Sequence, residues 1–138
     1  MDKRFLSRAK HPNDNGWIYG FYAECMGKDE NDEITPIIIS IDPQKPKCRY
    51  KEYIVPETMC QCTGELDKND SIIYENDVLK MEAKHKFGDT YHGFVTWECG
   101  TWRVEHYGGT KRHLCDCLYL YNCEVVGNTI DNPELWEE

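Results

Sequence analysis

Residues 94–104, Phe94-Val95-Thr96-Trp97-Glu98-Cys99-Gly100-Thr101-Trp102-Arg103-Val104, read as two β-strands joined by a short glycine-containing loop. Aromatic and β-branched residues fill both arms, and those side chains pack well on a pleated surface. Upstream, Ile72-Ile73-Tyr74 and residues 78–83 have the same texture; the latter fits a strand or one helical turn, and the strand is preferred. Residues 59–63 read as another short strand and 64–71 as a polar connection. Downstream, residues 118–121 and 123–127 read as the last strands. Asn132-Pro133-Glu134-Leu135-Trp136 then offers an N-cap, Pro at N1 and an acid in the first turn, which predicts a terminal helical turn.

The N-terminal part continues the pattern. Residues 17–23 form an aromatic strand leaving the turn Asn13-Asp14-Asn15-Gly16. Residues 27–33 are a polar loop. Residues 34–41 are a strand in which Pro36 marks an edge or the strand's start, and residues 49–55 are a strand stopped by Pro56. No segment sustains a 3.6-residue period, so long helices are not expected. The expected architecture is mainly β: an N-terminal β-rich unit over residues 1–58, then a small barrel over 59–138.

The composition agrees with a folded chain. Of 138 residues 40% are hydrophobic, with nine Tyr, four Trp and four Phe, too much apolar and aromatic content for disorder. The longest aliphatic run, Ile37-Ile38-Ile39, is far short of the ~20 residues of a membrane helix. The first residues show no apolar signal-peptide core, so a cytoplasmic, non-membrane protein is expected. The net charge of −9 argues against a general nucleic-acid coat, which needs a positive surface. Residues 1–58 carry −1 of that charge and residues 59–138 carry −8.

Eight cysteines include two Cys-x-Cys pairs, Cys60/Cys62 and Cys115/Cys117, with His113 beside the second. Zinc could be held by both pairs, or by His113, Cys115, Cys117 and Cys123. Structural zinc sites usually pair ligands with two to four residues between them, and no Cys-x-x-Cys occurs. The preferred reading is reduced, largely buried thiols, each pair on one strand face; a disulfide framework ranks lower. No metal and no cofactor are expected.

Tyr53-Ile54-Val55-Pro56-Glu57-Thr58, then Gln61-Cys62-Thr63-Gly64, Leu66-Asp67-Lys68-Asn69 and Tyr74-Glu75-Asn76-Asp77-Val78, resemble in order the YopX family of bacteriophage and prophage proteins. The likeness extends to Asn15-Gly16-Trp17-Ile18-Tyr19-Gly20 at one end. At the other it covers Glu124-Val125-Val126-Gly127-Asn128 and Asp131-Asn132-Pro133-Glu134-Leu135. Asp70 and Asn76 stand where the family tends to have Gly, which predicts turn positions with positive φ. Cys60 and Cys62 replace a Gly and an aromatic, so that Cys-x-Cys is particular to this chain. The resemblance implies an SH3-like barrel in the C-terminal part and an accessory role in a host bacterium, with no assigned activity. Thr63, Gly64, Asp67, Asn69, Tyr74, Glu75 and Asp77 then form a structural turn motif.

The acidic and basic clusters admit three chemistries. Aligned from Asp67, an EF-hand loop would need Gly at position 72 and Glu at 78, where Ile and Val stand. Asp67 and Asn69 closing an Asx turn, and Glu75 and Asp77 bracing backbone N–H groups, explain the acids better. Glu75 with Asp77, or Cys115 with His113 or His106, would be the acid–base or nucleophile–base pairs of a small hydrolase. No nucleophile-elbow, zinc-protease or P-loop motif is present, so no catalytic residue is assigned. Residues 78–113 carry six Lys/Arg against four acids, with His85, His92, His106, His113, Tyr91, Trp97, Trp102 and Tyr107 interleaved. Trp97, Trp102, Lys84, Lys86, Arg103 and Arg112 are accordingly the candidate binding surface, stacking bases over a weakly basic groove. Core packing of Trp97 and Trp102 is the competing and preferred reading.

The expected function is therefore a non-catalytic, phage-encoded interaction module working through contact with a host or phage protein. A nucleic-acid-binding regulator comes second and a small hydrolase third. Unprotected strand edges and the aromatic surplus also favour a homo-oligomer.

Overall fold

The computed structural model describes residues 5–26, 34–42, 44–85, 88–106 and 109–135. The loop read at 27–33, Lys86, Tyr107 and Trp136 of the terminal turn lie outside the described residues. The chain divides into two compact units, Met1–Cys62 and Thr63–Glu138. The boundary expected after residue 58 falls inside a strand that runs unbroken from Val55 to Leu66.

The first unit is antiparallel β throughout. Its strands are β1 (Ser7–Lys10), β2 (Trp17–Met26), β3 (Ile34–Asp42), β4 (Lys45–Tyr53) and β5 (Val55–Leu66), in the order β4-β3-β2-β1-β5. Ala9, Ile38 and Ile54 are buried at its centre, with Ile18 and Met59 packed against them. Gly20 is required by close approach: a Cβ there would collide with the Ile39 carbonyl oxygen of the neighbouring strand. Two proline expectations need correction. β3 is an interior strand, yet Pro36 pairs only with Glu24 of β2, because β4 begins its pairing at Ile37. Pro36 therefore sits where one flank is locally unpaired, which is where proline is tolerated. Pro56 does not stop a strand either; the break is at Ile54, and Pro56 is the second residue of β5.

The end of β5, residues 63–66, belongs to the second unit, where β6 (Ile72–Tyr74) lies beside it. The main sheet is built from β7 (Asp77–Ala83), β8 (Thr90–Glu98), β9 (Thr101–His106), β10 (Lys111–His113) and β11 (Tyr121–Asn128). Its order is β10-β9-β8-β7-β11, a four-strand meander with the last strand returning to pair with the first. Ile73, Leu79, Met81, Val95, Val104, Leu114, Cys117 and Cys123 form the core. Burying each of the larger side chains stabilises the unit by about 1.5–3 kcal/mol relative to exposure.

Between β10 and β11 lies the element the sequence reading missed, helix α1 (Leu114–Leu120), where residues 118–121 read as a strand. Leu114 and Cys117 are buried and Leu118 packs on the core, an i, i+3, i+4 face. Asp116 in the first turn suits the positive end of the helix. Seven residues are too few for that period to stand out against Cys-x-Cys. The consequence is a further correction: Cys115 and Cys117 do not share a strand face. Two residues apart on a helix they point to opposite sides, so Cys115 is exposed and Cys117 fully buried. Cys60 and Cys62, on a strand, are both buried.

The terminal turn appears as a 3-10 turn at Pro133–Leu135. A register shift between Val125 and Gly127 bulges β11. A Cβ on Gly127 would lie 2.7 Å from both Asn132 Oδ1 and Leu135 Cδ1, so the bare glycine lets the turn pack down on the strand.

Candidate functional site

The hairpin of β8 and β9 places Trp97 directly opposite Trp102. The turn residues Cys99 and Gly100 have φ of 54° and 77°, the left-handed pair a two-residue hairpin needs to match strand twist. Val95 and Val104, two residues further in, belong to the core, so the tryptophans extend the core face to the tip. The two indoles meet edge-on at 4.8 Å between centroids, with 65° between planes. Trp102 packs against the core, whereas Trp97 stays 53% exposed. One ring is core and the other surface.

The described members of the basic candidate set, Lys84, Arg103 and Arg112, do not gather around them. Arg103 follows Trp102 on β9 and so projects from the opposite face. Arg112, on β10, donates from Nη1 to the Tyr121 hydroxyl at 3.3 Å. Lys84 follows β7, whose last residues pair with the start of β8; Trp97 is ~20 Å further along that strand at ~3.3 Å per residue. There Lys84 lines a shallow depression of about 270 Å³ with Asp67, Lys68 and Asn122 among others.

The acidic motif serves as a brace. Asp67 Oδ1 accepts the N–H of Asn69 at 2.8 Å and of Ser71 at 2.9 Å, the expected Asx turn. Burial alone would raise its pKa, but the N–H groups of Val125, Ser71 and Asn69, with Lys68, hold it below the ordinary aspartate value. Asp70 and Asn76 have φ of 64° and 70°, as their replacement of glycine predicts. Thr63 Oγ1 donates to the Ile73 carbonyl at 2.7 Å, and Gly64 has φ of 85°. Asp77 Oδ2 accepts the Tyr74 N–H at 2.7 Å while 1% exposed; Glu75 sits in the tight turn between them.

Cys115 Sγ lies 4.0 Å from Asp116 Oδ1 on the solvent side, and His113 is likewise exposed. Burial pushes the thiols of Cys117 and Cys123 up to about 11, which makes them poor nucleophiles. Among the described residues no three His, Cys, Asp or Glu side chains are placed to hold a metal ion.

An arrangement that sequence reasoning did not assemble lies at the opposite end of the sheet from the hairpin tip. Tyr91, His106, Thr110, Arg112 and Tyr121 line a cleft of about 140 Å³. Tyr91 meets His106 at 6.0 Å and Tyr121 at 5.7 Å, both nearly perpendicular. His106 is 7% exposed, and its Nε2 has no hydrogen-bond partner among the described residues. Burial, with the Arg112 guanidinium nearby, holds its imidazole below the ordinary histidine value. Tyr91, His106 and Arg112 were visible in the 78–113 segment. Tyr121, brought in by β11 pairing with β7, was not.

Comparison with known proteins places the whole chain. The family model described as YopX protein matches residues 7–137. The crystal structure of protein EF1440 from Enterococcus faecalis is similar, with a TM-score of 0.56 and 22% identity. The match covers 95% of this chain and 96% of that one. At this identity the likeness shows a shared fold alone. No curated protein matches the sequence.

Proposed function

This chain belongs to the YopX family, and from that premise we propose that it is a non-catalytic, phage- or prophage-encoded accessory protein acting by protein–protein contact in the host cytoplasm. The observation that carries the reading is Trp97, half exposed and held edge-on against a core-anchored Trp102 at a hairpin tip. A rigid, exposed indole brings a large apolar area at little entropic cost, which is why tryptophan dominates binding hot spots. The meander, helical turn and returning strand of the second unit support an SH3-like reading of its barrel. Such barrels host many functions, so the surface decides.

Affinity capture from bacterial host lysate, with and without nuclease, tests the proposal. A specific protein retained after nuclease and lost with Trp97→Ala supports it. Recovery that disappears with nuclease, together with salt-sensitive oligonucleotide binding, would replace it with the nucleic-acid reading, because phosphate contacts weaken as salt rises. Self-association through the same face would raise the scattering mass between dilute and concentrated samples, and Trp97→Ala would abolish the rise.

A further inference from the structure

We propose that the cleft between Tyr91, His106, Thr110, Arg112 and Tyr121 binds an aryl carboxylate, at a site distinct from the tryptophan hairpin. The cleft's volume, about 140 Å³, is that of a small aromatic ring; apolar cavities of ~150 Å³ hold benzene. Tyr91 stands at 86° to His106 and 80° to Tyr121, so the rings form perpendicular walls. A flat ligand can lie against one face while turning its edge to another, the arrangement aromatic quadrupoles favour.

The polar groups select the ligand's charge. Arg112 uses one of its five N–H groups on the Tyr121 oxygen, leaving a fork for a carboxylate. The Tyr121 hydroxyl, accepting from Arg112, keeps its own proton to donate, and Thr110 adds a second hydroxyl. His106 is buried with Nε2 unpaired among the described residues, a costly state that a ligand oxygen would relieve if Nε2 carries the proton. One guanidinium beside a neutral imidazole matches a single negative charge. A dianionic phosphate would leave its second charge without a cationic partner among the lining residues.

The test is a nuclear magnetic resonance titration of the full chain with sodium benzoate, following the His106 imidazole and the Tyr91 and Tyr121 rings. Saturable shifts at these three side chains are expected. Acetate lacks the ring, benzyl alcohol lacks the charge and phenyl phosphate carries too much of it; each should bind at least about tenfold more weakly, the scale of a lost charge-assisted contact. Arg112→Gln changes an exposed residue, so an unaltered methyl spectrum with benzoate binding reduced at least about tenfold is expected. Tyr121→Phe should weaken binding less. Absence of saturable shifts, shifts unchanged by Arg112→Gln, or tighter binding of phenyl phosphate than of benzoate would each overturn the proposal.

Discussion

Asp67 Oδ2 accepts the backbone N–H of Val125 at 2.9 Å, joining residues 58 apart in sequence. The other carboxylate oxygen closes the local turn, so one side chain ties the loop after β5 to strand β11 just before its bulge. Lys68 reinforces the tie twice, donating its N–H to the Cys123 carbonyl and pairing its ammonium with Glu124 at 3.4 Å. The family-like stretches around Asp67 and Glu124 are thus two halves of one structural joint.

Asp67→Ala should destabilise the protein by about 2–3 kcal/mol, because three partly buried backbone N–H groups lose a charged acceptor. The same carboxylate gives acid sensitivity. Its folded pKa is depressed, so its contribution is complete above the unfolded value of about 3.9 and is lost as pH falls through the lower folded value. Denaturant midpoints measured from pH 6 to pH 2 should fall more steeply for wild type than for Asp67→Asn.

Cys99 occupies a left-handed turn position at φ 54°, where a non-glycine residue other than Asn or Asp is strained. Its side chain is exposed. Cys99→Asn should therefore raise stability by about 0.5–1 kcal/mol, read as a higher denaturant midpoint with an unchanged slope. A lower midpoint would contradict the turn geometry.

Thiol reactivity should divide along the line the helix draws. In the native protein at pH 8, a disulfide reagent should label Cys99 and Cys115 first. Cys117 and Cys123, whose thiols are pushed up to about 11, should react only on unfolding. Peptide mapping after brief labelling distinguishes these sites, and early modification of Cys123 would count against its place in the core.

Gly127→Ala should cost about 1–3 kcal/mol, since the new methyl must displace Asn132 and Leu135. The loss should be accompanied by faster amide exchange at Leu135, whose N–H donates to the Asn132 carbonyl at 3.0 Å. Exchange at β9, remote in sequence from the bulge, should change in step with global stability alone.

Much of the second unit was legible because its signals are local. Alternating apolar residues and a glycine loop mark the β8–β9 hairpin; Asn and Asp in place of glycine mark the positive-φ turns at 70 and 76. Helix α1 was not legible, since two turns present too little period to compete with a Cys-x-Cys that also fits a strand. Strand β10 escaped for a similar reason: Lys111, Arg112 and His113 are all exposed, so no apolar alternation betrays it.

A mainly β chain, the Asx turn at Asp67 and the terminal turn at Pro133 are written in local residue pattern, because each rests on neighbours within a few residues, and the collinear motifs point to the YopX family. Assembly of the chain settles that Trp102 packs on the core while Trp97 faces solvent, and that Cys117 is buried while Cys115 is exposed. It also settles that Tyr121 joins Tyr91 and His106 around a cleft. Alternation places Trp97 and Trp102 on one sheet face but cannot say where the core ends along it. Nor can local pattern register β11 against β7, the pairing that sets Tyr121 opposite Ala83 and carries it to the cleft. Those outcomes depend on which strands pair and on how far side chains from other elements extend over them, and both are properties of the assembled chain.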